Sequence, residues 1–392
     1  MSDLSLSILS TILLLLQLPA TAILLSRLIK GAFRQPPIEP TTPTQEMYGA
    51  VSVVVPTLNE RDRLSPCLAG LTRQSYEVRE IIIVDSNSTD GTQDLVKAAA
   101  EKDPRIRLVT DDPLPGDWVG RPWALNYGFL SSSSGSRWFL GIDADTQPHP
   151  GLVAAVVQAA EAKGYDLVSF SPQFILKEAG EMVLQPALLM TLVYRFGPTN
   201  TEASSAERVM ANGQCFLCRR SVLAAVEGYS SARQSFCDDV TLARNIAQTG
   251  FKVGFMDGAK VIKVRMYEGA AETWREWGRS LDLKDAASWG QTWGDVWFLL
   301  AVQGLPLLVV LGYLLLGVEG SRLLFGLNLF LLGIRFALNL AIAPSYDRTQ
   351  APKTAAWLFW LSPIADPLAV LRIILSAIHT PTQWRGRQYG PQ

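Results

Sequence analysis

The sequence predicts an α/β fold: a Rossmann-like, mostly parallel sheet with helices on both faces, joined to transmembrane helices near both ends of the chain. Three observations predict it. Short apolar runs alternate with helical stretches from Val51 to about Leu176, as in a parallel sheet covered on both faces. Polar clusters stand where three of those runs end, at 56–60, 85–91 and 143–146, and ligands of such sheets bind beyond the carboxyl ends of the strands. Long apolar stretches open and close the chain, whereas its middle is mixed.

Taken in order, Leu4 to Leu28 carries no charge until Arg27. It is long enough to cross about 30 Å of hydrocarbon at about 1.5 Å per residue. Arg27, Lys30 and Arg34 follow it, and only Asp3 precedes it. A secretory signal carries its basic residues in front, so this stretch reads as an anchor with the next domain in the cytoplasm. The Pro/Thr-rich stretch 35–49 reads as a linker. Strands are expected at Ser52–Val55, Glu80–Val84, Ile106–Val109 and Trp138–Ile142, with helices near 64–73, 92–100, 122–130 and 151–162. A later strand is expected at Gly213–Cys218. The helix expected at Val240–Ala247 carries Asp238 and Asp239 in its first turn, where negative charge suits the helix dipole.

The second half is less regular. Leu184–Phe196 is apolar, too short to span a membrane and interrupted by Pro186, so it is expected to rest on the membrane or the core. Over 272–288, Trp274, Trp277, Leu281 and the following Trp289 interleave with Arg275, Arg279 and Lys284. That pattern suits a helix lying on lipid headgroups and equally an amphipathic helix packed on the domain. Val296–Val318 and Leu323–Ala343, joined by Glu319-Gly320-Ser321-Arg322, read as a transmembrane hairpin. Ala355–Ile378 is interrupted by Pro363, Asp366, Pro367 and Arg372. Four full spans would place Arg385 and Arg387 outside, against the positive-inside preference, and a broken last segment would keep them inside. The expected organisation is therefore an anchor at 1–30, a linker at 31–49, a cytoplasmic catalytic domain at 50–290 and membrane segments at 295–380.

A net charge of −1 over 392 residues argues against a nucleic-acid partner. Cys67, Cys215, Cys218 and Cys237, with His149 and His379, are too few for a disulfide framework. Cys215-x-x-Cys218 has no second pair for zinc, so reduced core thiols are expected. His149, after Pro148, is expected to be structural or on the surface.

Asp143-Ala144-Asp145 carries the chemistry. A buried apolar strand ends there, and a period of two would project both carboxylates to one side. Two close like charges repel, and a hard divalent cation with oxygen ligands, Mg²⁺ or Mn²⁺ carrying substrate phosphates, relieves that repulsion. Alone, such a pair is more often a solvated turn after a strand. Asp85, at the end of the second strand, suits recognition of a base or ribose. Ser88, Thr89 and Asp90 read first as helix caps.

The ordered set P-T-L-N-E (56–60), V-D-S-N-S-T-D-G-T (84–92), D-A-D (143–145) and D-D (238–239) resembles the family 2 glycosyltransferases over roughly 50–290. The resemblance implies the GT-A fold and inverting use of a nucleotide-diphosphate sugar. It implies that Asp85 contacts the nucleotide, with Pro56 and Glu60 lining the same pocket. Asp143 and Asp145 then hold the metal and diphosphate, and Asp239 is the catalytic base, with Asp238 in place of the family's glutamate. Gly120 to Gly128 resembles the family's K-x-x-A-L-N element with Arg121 at the lysine position, where its fork can hold two phosphate oxygens. The processive Q-x-x-R-W motif is absent, which favours transfer of a single sugar. The residue types suit the reaction on their own terms: a cation and Arg121 stabilise the leaving diphosphate, and Asp239 takes the acceptor hydroxyl proton.

A cytoplasmic site tied to the bilayer implies a lipid acceptor. The chain most resembles transferases acting on carotenoids or hopanoids, with a hydroxylated carotenoid preferred. Ceramide, diacylglycerol and polyprenyl phosphate stay open, as does a membrane-anchored sugar-nucleotide binding protein without turnover.

Overall fold

The computed structural model describes residues 3–31, 34–280, 283–316, 321–379, 383–384 and 387–388. Leu281, Glu319, Gly320 and Arg385, named above, lie outside the described residues, as do the side chains of Arg279 and Arg387. The chain divides into two compact units. One comprises Gln35–Ile175, Thr199–Met266 and Thr382–Gln392, and the other Met1–Arg34, Leu176–Pro198 and Tyr267–Pro381.

The first unit is built on strands β1 (Val51–Thr57), β2 (Val78–Asp85), β3 (Ile106–Thr110), β4 (Trp138–Ile142), β5 (Thr146–Pro148), β6 (Leu167–Ser171), β7 (Gln173–Ile175), β8 (Cys215–Arg219), β9 (Val253–Asp257) and β10 (Ile262–Val264). Seven of them form one sheet in the order β3-β2-β1-β4-β8-β6-β9. All neighbours in it are parallel except β8, which runs antiparallel to both β4 and β6. Strands β7 and β5 flank β10, parallel and antiparallel respectively.

The period of two sorts the strand residues onto two cores. Val53, Val55, Ile81 and Ile83 pack with Leu64 and Leu68 of the helix Arg61–Leu71. Val54, Ile82 and Val84 pack with Leu125 and Phe129 of the helix Gly120–Ser131. Each such burial contributes roughly 1.5–3 kcal/mol, so helices on both faces are what the continuous apolar runs require. Cys215 falls in the first core and Cys218 in the second, on opposite faces of β8, and all four cysteines are free and buried. That geometry rules out a shared metal for the Cys-x-x-Cys pair.

The second unit is helical. Ser7–Gly31, Trp289–Leu315, Arg322–Ser345 and Lys353–Ile378 are long and apolar enough to cross a membrane. The second contains a π-helical stretch at Leu300–Gly304, and the last passes through a 3₁₀ stretch at Trp357–Ala365 around Pro363. Inside this unit Arg335 donates to Asp366 at 2.8 Å, to Asn339 at 2.5 Å and to Ser362 at 3.2 Å.

Two expectations are corrected here. Pro186 does not interrupt 184–196: a single helix runs over Ala179–Phe196, started by a reciprocal capping box between Glu178 and Glu181. That box and the burial of Met182, Leu188, Met190 and Tyr194 offset the roughly 3 kcal/mol cost of an interior proline. The Trp-rich stretch is not one helix to Ser288 either. A helix ends at Ser280, and Trp289 begins another. Trp277 is buried, and a Cβ on Gly278 would collide with the Arg372 guanidinium, so this helix is packed inside its own unit.

Candidate active site

The parallel strands end in a row, and the sequence motifs follow them. After β1 the chain turns through Asn59, with φ +54°, into the helix Arg61–Leu71. After β2 it turns through Asn87 and Gly91, with φ +65° and +94°, into the helix Thr92–Ala100. At +94° a side chain would be strained, which accounts for Gly91. The two loops hold each other. Asn59 N–H donates to Ser88 Oγ at 2.8 Å, and Thr89 N–H donates to Asn59 Oδ1 at 2.9 Å. Asp90 accepts from the N–H groups of both Arg61 (3.0 Å) and Thr92 (2.9 Å). Asp90 thus serves the starts of two helices, and the N-cap position itself is Gly91.

Asp85 is fully buried. Its carboxylate accepts from Thr57 Oγ1 (3.1 Å), Ser88 Oγ (2.5 Å), Ser88 N–H (2.9 Å) and Gln93 Nε2 (2.7 Å). It ties the ends of β1 and β2 to the following helix, and a nucleotide contact requires exchange of one of these bonds. Pro56 sits in β1 opposite Val84. Glu60 is buried at the next helix start, where its N–H donates to Thr92 Oγ1 at 2.9 Å.

Strand β4 ends at Ile142, and Asp143-Ala144-Asp145 forms the turn into β5. The strand period therefore does not set the two carboxylates; the turn does. It is closed by Thr146, whose N–H and Oγ1 donate to the Asp143 carbonyl oxygen at 3.2 and 2.8 Å. Both carboxylates remain partly exposed while Ala144 is buried between them. The Cys67 thiol lies beneath. Burial, opposed by a Thr146 hydrogen bond and reinforced by the charges of Asp145, Asp143 and Glu60, pushes its pKa up to about 12.

Arg121 is the centre of the cluster. Its Nε and one terminal nitrogen donate to Asp143 Oδ1 at 3.0 and 2.7 Å, and the other terminal nitrogen donates to Asp238 Oδ2 at 2.5 Å. It also donates to the Gly213 carbonyl oxygen at 3.0 Å. Four of its five N–H groups are thereby committed to protein, and its fork joins Asp143 to Asp238. Burial disfavours its charge, but Asp143, Asp238 and Asp239 together outweigh burial and raise its pKa above the ordinary arginine value.

Asp238 and Asp239 open the helix Asp238–Gln248. Asp238 is 3% exposed, whereas Asp239 is only partly buried. Burial raises the Asp238 pKa, and Arg121 opposes the shift. For Asp239, burial and then the neighbouring Asp238 charge push the pKa up to about 7. A carboxyl group with that pKa is suited to take a proton near neutrality.

Asn126, from the K-x-x-A-L-N element, and two residues not singled out by sequence, Tyr229 and Gly213, complete the site. Asn126 Oδ1 accepts from Tyr229 N–H at 3.1 Å, fixing the turn that brings the buried Tyr229 beside the acidic pair. Gly213 supplies its carbonyl to Arg121, and a Cβ there would collide with the guanidinium. The signal that could have found Gly213 is the antiparallel register of β8 on β4, which sets Cys215 opposite Ile142.

Among the described residues no group of three or more His, Cys, Asp or Glu side chains lies close enough to hold a metal ion. The donors at hand are the carboxylates of Asp143 and Asp145, hard oxygens suited to Mg²⁺ or Mn²⁺. Such ions take the rest of their shell from substrate phosphates and water, so this donor set fits a cation that arrives with its substrate.

The sheet order, the helices on both faces and the acidic turn after β4 define the GT-A class of α/β proteins. Residues 52–226 match the model of glycosyl transferase family 2, and the chain carries a domain of that family. It is 25% identical over 60% of its length to a 4,4'-diaponeurosporenoate glycosyltransferase of Staphylococcus haemolyticus, of which it spans 62%. It is 35% identical over 30% of its length to an undecaprenyl-phosphate 4-deoxy-4-formamido-L-arabinose transferase of Serratia proteamaculans, of which it spans 35%. The chain thus covers less than two thirds of either curated relative. Among solved structures, a mannosyltransferase of Pyrobaculum calidifontis in complex with GDP-mannose and Mn²⁺ shares the fold. Its TM-score is 0.57 at 18% identity, and the match covers 94% of this chain and 99% of that one.

Proposed function

We propose that this protein transfers a single sugar, with inversion, from a nucleotide-diphosphate sugar to a hydroxyl of a membrane lipid, and that the lipid is a hydroxylated carotenoid. The observation that carries the proposal is the cluster in which Arg121 joins Asp143 to Asp238 while Asp239 stays partly open beside them. The loops after β1 and β2, with Pro56, Glu60 and Asp85, receive the nucleotide. Asp143 and Asp145 hold Mg²⁺ or Mn²⁺, which when bound neutralises the diphosphate. Arg121 holds Asp143 in place and opposes the rise that burial imposes on the Asp238 pKa. Asp239 accepts the proton of the attacking hydroxyl, and inversion needs this one base and no covalent nucleophile.

Membrane attachment supports a lipid acceptor. The four long apolar helices are read as multi-pass spans, and the basic residues after the first helix favour the catalytic unit in the cytoplasm. The names of the two curated relatives, a diaponeurosporenoate and an undecaprenyl phosphate transferase, support an isoprenoid acceptor. The test is transfer of radiolabelled sugar by the full-length protein in lipid nanodiscs with Mn²⁺, offered a dihydroxy-carotenoid, ceramide, diacylglycerol or undecaprenyl phosphate. Label in the carotenoid alone is expected. Label in another lipid would refute the acceptor, and donor binding with no transfer to any lipid would refute turnover.

A further inference from the structure

Strand β8 runs against the direction of both its neighbours, so the chain enters it at the sheet edge where the parallel strands end. Its register with β4 pairs Cys215 with Ile142. Gln214, before Cys215, therefore comes in beside the end of β4, where Arg121 joins the Gly213 carbonyl oxygen to Asp143. The turn that delivers Gln214 is held at several points. Asn212 N–H donates to Ser169 Oγ at 2.6 Å, and the same hydroxyl donates to the Asn212 carbonyl oxygen at 2.8 Å. Gln214 N–H donates to Asn212 Oδ1 at 2.8 Å, and the Gly213 carbonyl oxygen is held by Arg121. Against this fixed backbone the Gln214 side chain is 4% exposed, and its Oε1 is buried with no hydrogen-bond partner. Buried polar atoms are nearly always paired, so an orphan beside a reaction centre calls for an explanation.

The chemistry of the position narrows what would pair with it. A diphosphate offers only acceptor oxygens and would repel an amide oxygen. The nucleotide loops follow β1 and β2, on the other side of β4 from β8. The group that must lie between the metal carboxylates and the base is the sugar ring, and its hydroxyls both donate and accept. The terminal torsion of glutamine is broad, so Oε1 can swing toward the site without moving the pinned turn, and as an acceptor it takes the proton of a hydroxyl. We propose that Gln214 reads one hydroxyl of the donor sugar through its side-chain amide and so sets which sugar is transferred. This rests on the transfer reaction proposed above.

The test uses the full-length protein in nanodiscs. UDP-glucose, UDP-galactose, UDP-N-acetylglucosamine and GDP-mannose are screened first, followed by the monodeoxy analogues of the donor that is used. For wild type, removal of one hydroxyl should lower kcat/KM about 10- to 100-fold, as expected for the loss of one hydrogen bond. Q214M should lose a similar factor on the intact donor, show no further loss with that one analogue and keep the wild-type penalty at every other position. It should melt no lower than wild type, because the orphan oxygen is gone. Q214N, with a shortened amide, should show the same selective loss of penalty and covers the case in which Q214M does not fold. A deoxy profile in Q214M and Q214N that parallels wild type overturns this inference alone. Wild type that transfers no sugar overturns the proposed function and this inference with it.

Discussion

Arg121→Ala tests the centre of the site. Arg121 is 15% exposed, its partner Asp143 is 26% and Asp238 4% as side chains. Removing the guanidinium leaves Asp238 buried opposite Asp143 with no counter-charge. Breaking a buried pair by deleting one partner costs about 3–5 kcal/mol, and the partial exposure of Asp143 places this case near about 3. For a unit of this size that is a fall of about 6–12 °C in melting temperature. The pH dependence has a definite sign. The folded-state pKa of Asp238 is already raised above its unfolded value, so the folded protein holds the proton more tightly, and stability falls as pH climbs through that folded pKa. Without Arg121 that pKa rises further, so the deficit of the variant should widen with rising pH and narrow toward pH 5. Arg121→Lys, keeping charge but losing the fork, should recover about half the loss. Scanning fluorimetry of the full-length protein across pH 5–9 measures this. A variant that melts within about 1 °C of wild type at pH 8 would show that the pair is not what holds the two carboxylates.

Other outcomes follow from the same geometry. Asp239→Asn should lower turnover about 10²- to 10⁴-fold while the dissociation constant of the nucleotide sugar, by calorimetry, stays within about threefold. Because the base works ionised and its pKa lies at about 7, kcat/KM in wild type should rise with pH through neutrality, and Asp238→Asn, which removes a raising charge, should move that limb to lower pH. Asp145→Ala should raise the Mn²⁺ concentration for half-maximal transfer at least about tenfold, read from a metal titration after chelation. Asp366→Ala should strand Arg335 among apolar helices and cut the yield of folded protein in detergent, whereas the Arg335→Met/Asp366→Leu pair should restore it.

The parallel half of the sheet was legible because a strand covered on both faces must be apolar throughout. Val53, Val54 and Val55 could be placed without knowing which helix covered which. The acidic motifs were legible as positions and not as geometry. Asp143 and Asp145 sit in a turn closed by Thr146, a fact absent from strand periodicity. The pairing of Arg121 with Asp143 and Asp238 spans 22 and 117 residues of chain, and nothing local specifies it. The same holds for Gly213, whose importance comes only from which guanidinium occupies the space of its missing side chain. Pro186 misled because helix propensity is local, whereas the capping box and the burial that override it are not.

The Arg335–Asp366 pair has a consequence in time as well as in space. Ribosomes make the chain from its amino terminus, so the arginine in the middle of Arg322–Ile342 exists before its carboxylate partner does. An arginine at the centre of a lone helix costs about 2.5–3.5 kcal/mol to insert by biological scales. If these helices cross a bilayer, that cost is relieved only once Asp366 has been made, so the third should insert more readily together with the fourth than alone.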